Sequence, residues 1–160
     1  MRKLVKKLPD ACLLALLVFS LFLFPPLGRA IAFAQEFARS GLAVKGNKII
    51  VELADTPLKR SAGLMHRTAL EEDSGMLFIF KVPKVLGFWM KNTKIPLSIA
   101  FADQSGVILN IEDMKPGDLT ATESKGEASF ALEMNKGWFL KHKVKAGDKL
   151  EGLDKLSIRN

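Results

Sequence analysis

Short apolar runs broken by proline and glycine fill the chain from Asn47 to Leu153, and this pattern limits the fold more than any other feature. Successive side chains of a strand point to opposite faces, so a half-buried strand alternates apolar and polar residues. Ile49, Val51 and Leu53 alternate with Lys48, Ile50 and Glu52. Leu97, Ile99 and Phe101 alternate with Ser98, Ala100 and Ala102, and Phe130, Leu132 and Met134 with Ser129, Ala131 and Glu133. Gly75 to Phe80 is apolar on both sides, as a strand covered by two layers should be. Pro83 separates it from a second run, Leu86 to Met90, and shorter runs cover Val107 to Ile111 and Lys149 to Leu153. Asp103-Gln104-Ser105-Gly106 spells a hairpin turn, and Met114 to Gly126 reads as a loop. Helix signals are few. Thr56 is an N-cap before Pro57, Leu58, Ala62 and Met65 recur at helical spacing, and Gly137 to His142 suits a helical turn. No strand–helix–strand alternation suited to a parallel sheet is visible. The expected fold is mainly β: a single compact β-sandwich, jelly-roll-like or barrel-like domain with one or two short helices.

The N-terminus reads differently. Arg2, Lys3, Lys6 and Lys7 precede an uncharged run of 14 residues from Ala11 to Phe24, followed by Pro25 and Pro26. That length fits the core of a signal peptide, whereas a membrane-spanning helix needs about 20 residues. Ala32-Phe33-Ala34 places small residues where a signal peptidase reads, so cleavage is expected before Gln35, with Ala30-Ile31-Ala32 as a second candidate site. The expected organisation is a signal peptide at 1–34, a linker or leader strand at 35–46 and one β domain at 47–160. The mature protein is then exported, periplasmic or secreted. Contact with the membrane is expected only through the signal segment, should it stay uncleaved.

The single cysteine, Cys12, lies in the apolar run and leaves with it, so the mature domain has neither a disulfide nor a thiolate metal site. The formal charge of +7 is largely a property of the leader. Residues 35–160 hold 19 basic and 16 acidic side chains, which is no nucleic-acid footprint.

Several ordered motifs carry a resemblance. Gly63-Leu64-Met65-His66-Arg67, Gly75-Met76-Leu77-Phe78, Phe88-Trp89-Met90-Lys91-Asn92-Thr93 with Ile95-Pro96-Leu97, Leu132-Glu133-Met134-Asn135-Lys136-Gly137 and Gly147-Asp148 follow one another at characteristic spacing. Together they resemble the family known as domain of unknown function 192, over about Ile49 to Leu153. The resemblance implies a compact β fold, often exported, and assigns no catalytic residue. The chain departs from the family at Ser98, where an aspartate is usual.

The residues themselves offer one candidate site. The second faces of two strands, Ser98-Ala100-Ala102 and Ser129-Ala131-Glu133, are small, and Trp89 and Lys91 share a side of a neighbouring run. A floor of small residues bordered by Trp89, Lys91, Asn92 and Glu133, with Arg67 at its edge, describes a ligand-binding groove. Arg60 and Arg67 flank the short helix as an anion-binding edge or as partners of Glu71, Glu72 or Asp73. No nucleophile–base set emerges: the only histidines are His66 and His142, and no Gly-x-Ser-x-Gly elbow is present. The expected function is a non-enzymatic extracytoplasmic ligand-binding or accessory module, without cofactor or metal, taking a small molecule or a cell-envelope component and no nucleic acid. Two alternatives stand beside it. One is an envelope glycan hydrolase using Glu133 and a second carboxylate; the other is a copper(I) protein using Met65 and His66.

Overall fold

The computed structural model of the chain describes residues 36–156. The expected signal segment and its cleavage site lie outside the described residues. Among the described residues nine strands form: β1 (Arg39–Val44), β2 (Asn47–Ala54), β3 (Ser74–Lys84), β4 (Gly87–Phe88), β5 (Leu97–Ala102), β6 (Ile108–Met114), β7 (Thr122–Glu123), β8 (Ala128–Asn135) and β9 (Leu150–Glu151). Two short helices, α1 (Pro57–Ala62) and α2 (Trp138–Lys141), and one 3-10 turn (Leu153–Lys155) complete the described chain. The segment read as a linker or leader strand supplies β1, which pairs antiparallel with β2.

Seven strands make one sheet in the order β6-β5-β8-β3-β2-β1-β9. The sheet curls until its edges meet at one end. There Val107 bridges Lys149, and the Ile108 amide donates to the Asp148 carbonyl at 2.8 Å. The curl sorts the apolar residues into two clusters. The first draws on both edges and the middle of the sheet, including Val44, Val51, Leu77, Ala102, Ile108, Met134 and Leu150, so it fills the concave side. The second covers the outer face of β3, β5 and β8 with Met76, Phe78, Leu97, Ile99 and Phe101, over which Leu64, Leu86 and Met90 fold. Each fully buried Phe, Leu or Met among them contributes roughly 2 kcal/mol. All six residues of β5 are buried, because both of its faces have a cluster to fill.

Every pairing in this sheet is antiparallel except one, β2 with β3, which is parallel in the register Val51 to Gly75 and Leu53 to Leu77. A parallel pair needs a crossover, and residues 55–73 with α1 provide it. This corrects the expectation that no such strand–helix–strand unit exists. The unit was hidden because its helix is only six residues long and buries none of its own residues. Leu58, read as part of an apolar helical stripe, is exposed, and the buried anchor is Leu64, just past the helix end. Thr56 does cap the helix, its Oγ1 accepting from the Lys59 amide at 3.2 Å. Pro83 does not end β3 either: the strand runs on to Lys84 with a register shift after Ile79, an irregularity where a missing N–H is tolerated. Gly75 sits where β3 presses on β8. A Cβ there would stand 2.4 Å from both the Glu133 carbonyl oxygen and the Met134 sulfur, so only glycine fits.

Candidate functional site

The groove expected from the two small faces does not form. It needed Ser98-Ala100-Ala102 and Ser129-Ala131-Glu133 to share one side of the sheet. The β5–β8 register pairs Ser98 with Met134, Ala100 with Leu132 and Ala102 with Phe130. Small side chains of one strand therefore lie beside large ones of the other. Alternation within a strand says which residues share a face; only register says which faces coincide. Ala100 and Ala102 belong to the concave core, and Ser98 is spent on local bonds: its Oγ donates to Asp113 Oδ1 at 2.6 Å and accepts from the Gly137 amide at 2.9 Å. An acid thus faces position 98 from the paired strand.

The same register sets Glu133 on the outer face, between Met76 of β3 and Ile99 of β5. Two apolar neighbours and a covering layer leave it 5 % exposed. Desolvation alone pushes its carboxyl up to about 8, from an ordinary value of 4.5. A buried carboxyl normally has a hydrogen-bond or ionic partner, yet among the described residues none bonds to that of Glu133. The group faces a cavity of about 200 Å³. Its walls are Arg60 to Met65 from α1 and the turn after it, Phe78 and Phe80 from β3, Gly87 to Trp89 around β4, and Thr93. The rings form a continuous wall: Phe88 meets Phe78, Phe80 and Phe101 edge to face, with centroids 4.8, 6.4 and 5.7 Å apart.

Of the residues named from the sequence, Trp89 and Glu133 line this cavity together. Trp89 is half exposed, with the Lys91 ammonium 5.4 Å above its ring. Lys91 and Asn92 line a separate hollow with Pro116, Gly117 and Leu119. Asn92 adopts φ 55° and its carbonyl accepts from the His66 amide at 2.9 Å, a backbone role. Arg67 pairs with Glu52 at 2.6 Å, a partner different from the three acids near it in sequence. Arg60 binds carbonyls, donating through Nη1 to Asp55 at 3.1 Å and to Ile79 at 2.9 Å, while its guanidinium lies 4.8 Å from the Phe80 ring centre. Phe78, Phe80, Phe88 and Thr93 were not named as site residues from the sequence, and Met65 was named only as a copper(I) ligand. The signal lay in the motifs: Gly63-Leu64-Met65, Phe78, Phe88-Trp89, Thr93 and Glu133, far apart in the chain, converge on one cavity.

Curled sheet and cavity together define a small β domain that holds, beneath an aromatic wall, one acid with no hydrogen-bond partner among the described residues. The chain belongs to the domain of unknown function 192 family, described as "Uncharacterized ACR", whose model matches residues 41–152. Two crystal structures resemble it. One, a protein from Sinorhizobium meliloti provisionally named a transcription regulator, is 33 % identical, with a TM-score of 0.70, covering 72 % of this chain and 95 % of its own. The other, a protein of unknown function from Novosphingobium aromaticivorans, is 32 % identical, with a TM-score of 0.70, covering 76 % of this chain and 91 % of its own. No curated protein matches the chain.

Proposed function

We propose that this protein is an exported, non-enzymatic binding module that takes a small molecule into the Glu133 cavity. One observation carries the reading: a buried carboxyl without a hydrogen-bond partner among the described residues opens on an aromatic-walled cavity built from the motifs that mark the family. Ligand sites are concave and mostly apolar, with a few polar groups that orient the guest. Here those groups are Glu133, Thr93, Ser61 and Arg60.

The alternatives find less support. Glycoside hydrolysis uses two carboxyl groups flanking the bond, and Glu133 is the only carboxylate among the lining residues. For copper(I), Met65 lines the cavity, but His66 is exposed and Met76, Met90, Met114 and Met134 are packed in the core. The regulator name of the Sinorhizobium protein suggests DNA binding. Against that reading, the described helices are six and four residues long, too short to serve as a recognition helix in the major groove.

A thermal-shift screen of small molecules against wild type, Trp89→Ala and Glu133→Gln tests the proposal. At least one compound should stabilise the wild type and lose its effect in both variants. Ligand shifts that survive in both would place binding elsewhere.

A further inference from the structure

An acid and a guanidinium line the Glu133 cavity without meeting. Glu133 and Arg60 are the only ionisable side chains in its lining, and no ion pair joins them among the described residues. Each keeps unused bonding capacity. The Glu133 carboxyl has no partner among the described residues, and Arg60 spends only Nη1 on protein carbonyls. Phe78, Phe88 and Trp89 stand in the same wall, and the faces of such rings attract cations. Arg60 already has the ring of Phe80 beneath it, which fixes the positive end of the cavity. A guest carrying only a positive charge would be drawn to Glu133 and repelled by Arg60. A guest carrying only a negative charge would meet the reverse. A dipolar guest satisfies both.

We infer that the cavity binds a small zwitterion of the amino-acid type, its ammonium against Glu133 and its carboxylate toward the free guanidinium edge of Arg60. The inference rests on the binding reading above and adds the chemical class of the ligand. A volume of about 200 Å³ suits a guest with a few carbons between its charges. Planar two-pronged recognition of a carboxylate is what an Arg fork provides and a Lys ammonium does not. At neutral pH the Glu133 carboxyl, pushed up to about 8, holds its proton. An arriving ammonium favours the ionised form, so binding must release a proton.

The test is isothermal titration of the wild-type domain with a series of unbranched ω-amino acids, from glycine to 5-aminovalerate. The matching alkylamines and alkylcarboxylates serve as one-charge controls. One length should bind at least about tenfold tighter than both controls, since each lost charge-assisted bond is worth that much. Titration at neutral pH in two buffers of different ionisation heat should show proton release. Glu133→Gln should abolish that release together with the affinity, and Arg60→Lys should lower affinity while leaving the release in place. Circular dichroism and melting of both variants establish that they are folded. If the alkylamine binds as tightly as the zwitterion, or if binding releases no proton, the inference is wrong. If no member of the series binds while a neutral compound gives a Trp89-dependent shift, the inference falls and the binding reading stands.

Discussion

Glu133 should make this domain less stable as the pH rises from acid to neutral, and Glu133→Gln should remove that dependence. In the folded chain burial holds the carboxyl at about 8, against 4.5 when it is free in the unfolded chain. Between these values the unfolded state sheds a proton that the folded state keeps, so raising the pH favours unfolding. Each unit of difference is worth about 1.4 kcal/mol. The contribution is most favourable below pH 4.5, falls through the interval and levels off above about 8. At about pH 7 the group should have cost the fold roughly 3 kcal/mol relative to acid conditions. A glutamine of nearly the same shape carries no such term. Urea unfolding of wild type and Glu133→Gln at several values between about pH 5 and pH 9 measures the difference directly. The variant should gain on the wild type by somewhat over 1 kcal/mol per unit in the lower part of that range, then run parallel to it. A constant difference across the range, or a variant less stable throughout, would refute the desolvated, unpartnered state of this carboxyl and with it the basis of the site.

Three further outcomes follow from the packing. Gly75→Ala should destabilise by about 2 kcal/mol or more, because the new methyl meets a carbonyl oxygen and a sulfur at 2.4 Å. Gly41→Ala in β1, with nothing within 4 Å of the added carbon, should change the urea midpoint little and serves as the control. Trp89→Ala should alter stability by less than about 1 kcal/mol, since the ring is 54 % exposed, while losing ligand-induced thermal shifts. A collapse of the fold would instead make Trp89 a core residue. Thr56→Ala removes the side-chain cap of α1 and should cost about 1 kcal/mol by chemical denaturation.

Much that is local could be read from the residues alone. Alternation located β2, β5 and β8 and named the buried side of β2, where Ile49, Val51 and Leu53 are covered, whereas β5 and β8 are covered on both faces. The turn before Gly106, at φ 84°, and the cap at Thr56 follow from the chemistry of single residues and their neighbours. Trp89 and Glu133, named together from the sequence on a shared floor of small residues, do line one cavity, but the register between strands brings them there and no such floor does. What the sequence could not decide was nonlocal. Placing Glu133 against Met76 and Ile99 required the register between three strands, and a slip of one residue would have turned it into the concave core. The parallel β2–β3 pair depends on a crossover whose helix, though its cap was legible, buries none of its own residues. Arg67 found Glu52 rather than its sequence neighbours, because the crossover brings them within reach. Periodicity along a chain reports which side of each strand is oily. The cavity and its lone acid exist because strands distant in the chain were paired in one alignment, and that is a property of tertiary structure alone.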